Sequence, residues 1–280
     1  VAFLSIVLSG MFLLALFIGG VSLFEISRFV RSSTKDLITE KCEKDMRELF
    51  GLDHAVLMTS GYAALVSALV GMGIGPGDEV ITSPITDMGS VIGILYQNAI
   101  PVFADLDPYS FNMDPKSVEE KITDKTKAIV VVHLAGNAAE IEEICKIAKK
   151  HNVYVIEDCA QSYCCEYKGK YAGTFGDIGC FSLNDFKHIS AGDGGMVVTD
   201  NEELYYKALM FADKNFNRLG TEVVKNAPYL APNYRMNELT AAVGIAQLDK
   251  VKDICAKRNV YGDKLNAALQ GIKGLKPMKV

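Results

Sequence analysis

The sequence of 280 residues has no tryptophan and only four histidines, and its seven cysteines form no C-x-x-C pair. Without that pair no zinc site is suggested, and no metal centre is expected. An odd number of cysteines, with Cys164 and Cys165 adjacent, also gives no disulfide framework. A reducing compartment is the simpler expectation. Basic blocks are absent as well: 29 Lys and Arg face 34 Asp and Glu, for a formal charge of −5. That balance argues against nucleic acid as the main partner. No internal repeat, low-complexity stretch or linker divides the body.

Charge is missing altogether from residues 1–24, where eighteen side chains are apolar and the rest are Ser or Gly. This stretch sums to roughly +57 on a standard hydropathy scale. The whole chain, at a mean hydropathy of +0.16, sums to about +45. The body therefore averages near zero, as a soluble protein does. The apolar end has three readings. It is long enough to cross a bilayer, with Arg28, Arg31 and Lys35 behind it. A signal peptide fits less well, for want of a basic n-region and an A-x-A site. The third reading is a buried arm or a start misassigned in a fragment, since the first residue is Val.

From residue 37 the pattern alternates between helix and strand. Helical spacing is read over 37–50, 61–72, 88–97, 139–150, 201–213 and one long helix near 237–258. Apolar, mostly β-branched runs mark strands at EVITS, PVFAD, KAIVVVH, VYVIED, GCFSL and GGMVVT. Such continuous runs suit a mostly parallel central sheet flanked by helices, an α/β fold. Residues 37–250 read as one large domain, and 251–280 as the start of an incomplete one.

In open α/β sheets, functional groups gather where strands end and helices begin. Three such places carry candidate chemistry. At Thr59-Ser60-Gly61-Tyr62-Ala63 a helix start could hold a phosphate on its N–H groups, or Ser60 could simply cap it. At Glu157-Asp158-Cys159-Ala160-Gln161 a carboxylate follows a buried strand. It needs a cationic partner such as a protonated ring nitrogen, or else a capping N–H. At Ser182-Leu183-Asn184-Asp185-Phe186-Lys187-His188 a lysine sits in a loop between apolar strands. It is either a solvated charge or an amine able to form a Schiff base.

These blocks, with GPGDEVI, PVFADLDP, VVHLAGN, GDGGMVVT and NYRMNELTAAVGIAQL, occur in one order from about Glu43 to Val251. In that order the chain resembles the DegT/DnrJ/EryC1/StrS family of pyridoxal-phosphate (PLP) sugar aminotransferases. The resemblance implies the aspartate aminotransferase-like type I fold, with a small C-terminal domain cut short here. It implies that Lys187 is the catalytic residue that binds PLP as a Schiff base and shuttles a proton at the substrate carbon. Asp158 would pair with the pyridine nitrogen, and Gln161 would sit beside the phenolic oxygen. Ser182 and the turn Gly61-Tyr62-Ala63 would cradle the phosphate, and Asn233 would reach a neighbouring subunit's phosphate, making a homodimer.

Two positions depart from that pattern. Tyr62 stands where the family usually has Thr, and Thr86-Asp87-Met88 stands where an aromatic ring covers the cofactor, leaving Met88 to do so. Related sugar dehydratases carry His in place of the lysine, so Lys187 favours transamination. The implied substrates are an amino-acid donor, glutamate above all, and a nucleotide-linked keto-sugar. A same-fold dehydratase or a non-catalytic remnant stays open as an alternative. The implied setting is the cytoplasm. There the family's N-terminal arm, with a Gly-Gly turn like Gly19-Gly20, is favoured over a membrane anchor.

Overall fold

The computed structural model describes residues 37–216 and 230–278. The readings of residues 1–36 as span, leader or arm lie outside the described residues. Among the described residues, no helix is long and apolar enough to cross a membrane.

Seven strands form the central sheet: β1 (His54–Met58), β2 (Glu79–Thr82), β3 (Ile100–Phe103), β4 (Thr126–Val132), β5 (Tyr154–Asp158), β8 (Ile178–Ser182) and β9 (Gly195–Thr199). A two-stranded ribbon, β6 (Glu166–Tyr167) and β7 (Lys170–Tyr171), stands apart. The strand order is β1-β9-β8-β5-β4-β2-β3. Only β9 runs against its neighbours; β8, β5, β4, β2 and β3 pair in parallel. The mostly parallel sheet read from the apolar runs is therefore present.

Both faces of the sheet are covered, and the period of two along each strand shows it. Val56, Met58, Ala128, Val130 and Ile156 pack with α2 (Gly61–Gly71), α3 (Met88–Tyr96) and α6 (Glu202–Ala212). Their alternate neighbours Ala55 and Leu57 meet α1 (Leu37–Phe50) and α7 (Glu238–Leu248). Ile129, Val131 and Val155 meet α4 (Pro115–Lys121) and α5 (Ile141–His151). Helix α5 shows the local logic: Ile141, Ile144, Ile147 and Ala148 form its buried stripe, and left-handed Asn152 ends it at φ 54°.

Two differences from the sequence pattern have physical causes. The edge strand β1 was not marked by its short run, and it forms by pairing with β9 some 140 residues away (His54 opposite Thr199). The single helix expected over 237–258 is two helices, α7 and α8 (Val251–Leu269). Lys250 donates to Gln247 three residues back, a tightened turn that breaks the ladder and turns Val251 into the core, 1% exposed.

Candidate active site

The carboxyl ends of the strands bring the candidate residues together. Strands β1 and β8 end at Met58 and Ser182, both paired with Gly195 of the intervening β9. Ser60 then caps α2, its Oγ accepting from Ala63 N–H at 3.0 Å. The cap reading of this turn is correct, but it does not exhaust the turn. Gly61 and Tyr62 carry the first two N–H groups of the helix, which an α-helix leaves without internal partners. A Cβ on Gly61 would lie 2.7 Å from Ser182 Cβ, and one on Gly195 would lie 2.0 Å from the Ser60 carbonyl. Two missing side chains thus let a helix N-terminus sit directly against the Ser182 hydroxyl. That is an anion-binding arrangement.

Asp158 ends β5 and is 5% exposed. Its Oδ1 accepts from Ala160 N–H at 3.1 Å and its Oδ2 from the Ser90 hydroxyl at 2.6 Å. Burial pushes the carboxyl above its ordinary range, opposed first by the Ser90 bond and then by the Ala160 bond. Gln161, half-buried, is held by the N–H of Ala135, which donates to its Oε1 at 2.9 Å. Its amide N–H₂ end is the part left to act as a donor.

The preceding residue, Glu157, points to the opposite face and is fully buried. It accepts from His133 Nε2 (2.9 Å), Gly173 N–H (2.8 Å), Phe175 N–H (2.7 Å) and Gly176 N–H (2.7 Å). Burial alone would raise its carboxyl, but the His133 and backbone bonds outweigh it and hold it below the usual range. His133 Nδ1 accepts from Ala139 N–H at 3.1 Å, so its proton sits on Nε2, facing Glu157. These two bonds tie the end of β4 to Glu157 and to the loop at Ala139. Cys159 completes a buried cluster with this pair, but burial raises its thiol and Glu157 already accepts four bonds. The cluster is an anchor for the strand end.

Lys187 lies in the loop after β8, half-buried, its N–H donating to the Asn184 carbonyl at 3.0 Å. Among the described residues its ammonium makes no ion pair. Beside it Phe186 is 84% exposed. His188 is pushed down to about 4 by burial, then by the charges of Arg258 and Lys187. It is therefore neutral at pH 7 and carries no positive charge to the site.

The departures have structural accounts. The Tyr62 ring packs with Val66, Val70, Phe211 and Tyr234, so the turn's hydroxyls come from Ser60 and Ser182. Asp87 is the N-cap of α3, accepting from Gly89 N–H at 2.8 Å, which explains an acid beside Met88. Met88, the first residue of α3, is 59% exposed. Asn233 is exposed and bridges Asp213, while its neighbour Tyr234 accepts from Thr59 N–H at 2.8 Å through its carbonyl. The NYR segment thus flanks the turn that leads into Gly61. Ser90 lies outside the blocks read from the sequence, because a serine in a helix's first turn carries no pattern of its own; Glu157 lies within one, but nothing there separates its anchoring part from the part of Asp158.

Solved structures with this architecture include aminotransferases and a sugar dehydratase with bound hydrated PLP. An aminotransferase from Psychrobacter cryohalolentis superposes with a TM-score of 0.79 at 35% identity, over 89% of this chain and 67% of that one. The E. coli GDP-4-keto-6-deoxy-D-mannose-3-dehydratase with bound hydrated PLP gives 0.81 at 26% identity, over 87% and 68%. The chain belongs to the DegT/DnrJ/EryC1/StrS aminotransferase family, whose model matches residues 32–280. A GDP-perosamine synthase of Escherichia coli O157:H7 is 39% identical over 246 residues, 85% of this chain and 66% of the relative. The chain spans about half to two thirds of the length of several curated relatives it matches.

Proposed function

We propose that this chain carries the cofactor-binding domain of a PLP-dependent aminotransferase. In this reading it moves an amino group from an amino acid, glutamate, to a nucleotide-linked keto-sugar. The observation that carries the reading is a buried carboxylate, Asp158, with acceptor capacity left beyond its two bonds, at the same end of the sheet as a helix N-terminus packed against Ser182.

The residues fit PLP by their chemistry. The N–H groups of the Gly61, Tyr62 and Ala63 turn and the Ser182 hydroxyl would hold the phosphate, brought together because Gly61 and Gly195 carry no side chain to keep the turn and the strand end apart. Asp158 has lone pairs beyond the two bonds it accepts, enough for a ring N–H. Gln161 would donate to the phenolic oxygen, Met88 would cover a ring face, and Lys187 would be the covalent attachment point. When bound, PLP supplies an electron sink for negative charge at the substrate carbon that bears nitrogen. Lys187 would then be the residue placed to move a proton at that carbon. Neutral His188 beside it adds no positive charge to the site.

Exposed apolar side chains Met88, Ile92, Leu95 and Tyr96 on α3, with Phe103 on the edge strand, support a homodimer in which Asn233 serves the second site. Helix α8, exposed along nearly all its length beyond Val251, would lead into the small domain. All seven cysteines are unbridged, which supports a reducing, cytoplasmic setting. The likeness to a dehydratase favours one second reading, a dehydratase of the same fold.

Adding PLP should give a visible absorbance band, and borohydride should fix the cofactor's mass on the peptide bearing Lys187. Keto-sugar turnover that consumes glutamate stoichiometrically supports transamination, whereas turnover without any amine donor supports the dehydratase. Failure to bind PLP would remove both readings.

A further inference from the structure

Thr86, Ser90 and Asp158 form a chain of three side chains linking the start of α3 to the end of β5. Thr86 Oγ1 and Ser90 Oγ lie 2.7 Å apart, and Ser90 Oγ donates to Asp158 Oδ2 at 2.6 Å. Ser90 is 2% exposed and Asp158 5%. We propose that Ser90, itself held by Thr86, is a positioning residue that orients the Asp158 carboxylate toward the ring nitrogen of the cofactor. The inference rests on the reading of Asp158 as that nitrogen's partner.

The direction of the chain follows from proton counting. A serine hydroxyl has one proton, and Ser90 gives it to the carboxylate. Thr86 must then donate to Ser90, so both protons point toward Asp158. A carboxylate facing two aligned donors is the acceptor-only, ionised form; a protonated Asp158 would compete to donate along the same line. Burial works the other way and favours the neutral acid, and the Ser90 bond is the largest influence opposing it. The backbone adds to this, because Asp87 caps α3 and Ser90 N–H donates to the Asp87 carbonyl at 3.1 Å. The positive end of the helix dipole therefore lies beside the carboxylate. Ser90 fills one site on Oδ2, and Ala160 N–H fills one on Oδ1. The remaining lone pairs are those a ring N–H would use.

The test compares the full-length wild type with Ser90→Ala, Ser90→Thr and Thr86→Val. PLP affinity is measured from the visible band across pH, and melting is measured without cofactor. Ser90→Ala is expected to weaken PLP binding about tenfold, the loss of one charge-assisted bond. It should also move the acid limb of the affinity profile about one unit upward, since Asp158 then protonates more readily. Ser90→Thr keeps the hydroxyl and should restore both, while Thr86→Val should weaken binding about twofold to threefold. If the wild type binds PLP and Ser90→Ala matches it in affinity and acid limb, the positioning role is wrong while the site assignment stands. If Ser90→Thr is as impaired as Ser90→Ala, packing and not the hydroxyl is responsible, and the proposal fails. If the wild type does not bind PLP, the site reading falls and takes this inference with it.

Discussion

Glu157 and Asp158 are consecutive, both carboxylates, both buried at one strand end, yet their surroundings push them in opposite directions. On one face of the sheet Glu157 accepts four hydrogen bonds and is held ionised. On the other, Asp158 accepts two, and burial drives its carboxyl upward. A saturated buried acid is a structural anchor, whereas an under-saturated one beside a lysine is poised for a ligand. The anchor face and the ligand face should therefore respond differently to mutation.

The largest separation is expected at Lys187. Lys187→Ala should lower transamination by about 10⁴-fold, equal to roughly 5.4 kcal/mol of transition-state stabilisation. Its melting temperature without cofactor should stay close to the wild type, because a half-buried lysine that makes no ion pair among the described residues contributes little to folding. Retained activity in this variant would end the assignment.

Glu157→Ala reverses the pattern. It strands the His133 and backbone donors of Gly173, Phe175 and Gly176 in the interior. The expected loss is about 3–5 kcal/mol of folding stability, read as a shift in the urea midpoint. A loss below 1 kcal/mol would show that the anchor is not one.

Gly61→Ala tests how closely the ligand face is fitted. Its Cβ would lie 2.7 Å from Ser182 Cβ, so α2 or β8 must shift. A loss of about 1–3 kcal/mol in stability is expected. PLP affinity should fall with it, whereas inorganic phosphate should no longer compete for the cradle. A variant with unchanged stability and PLP affinity would mean the helix start and Ser182 do not work together.

How much of this was legible follows from distance along the chain. Strands β2, β3, β4, β5, β8 and β9, the cap at Ser60 and the strand-end places of Asp158 and Ser182 came from local patterns, and the cofactor roles came from ordered blocks. The contacts that distinguish Asp158 from Glu157 could not be read this way. Ser90 reaches Asp158 across 68 residues, and Glu157 meets Gly173, Phe175 and Gly176 across 16 to 19. Strand β1 exists through a partner on β9, so its short run carried no signal of its own. Local patterns place a residue at a site, but packing decides whether its acceptors are already filled.

The smallest effect, and the sharpest test of the comparison, is the pH dependence of Asp158→Asn. Glu157 is held below its unfolded value, so its contribution is complete above the ordinary carboxylate range and is lost as pH falls through the lowered value. Asp158 is raised, so its ionised form opposes folding at neutral pH, and that opposition fades as pH falls through the raised value. Asp158→Asn removes the opposition but keeps an acceptor for Ser90. Without cofactor the variant should be equal to or up to about 1 kcal/mol more stable than the wild type at pH 7. The gap should close on acidification, while Glu157→Gln stays less stable at neutral pH. PLP should bind Asp158→Asn weakly, because an amide cannot hold the ring nitrogen protonated. Both variants losing stability alike at pH 7 would collapse the distinction between anchor and ligand face.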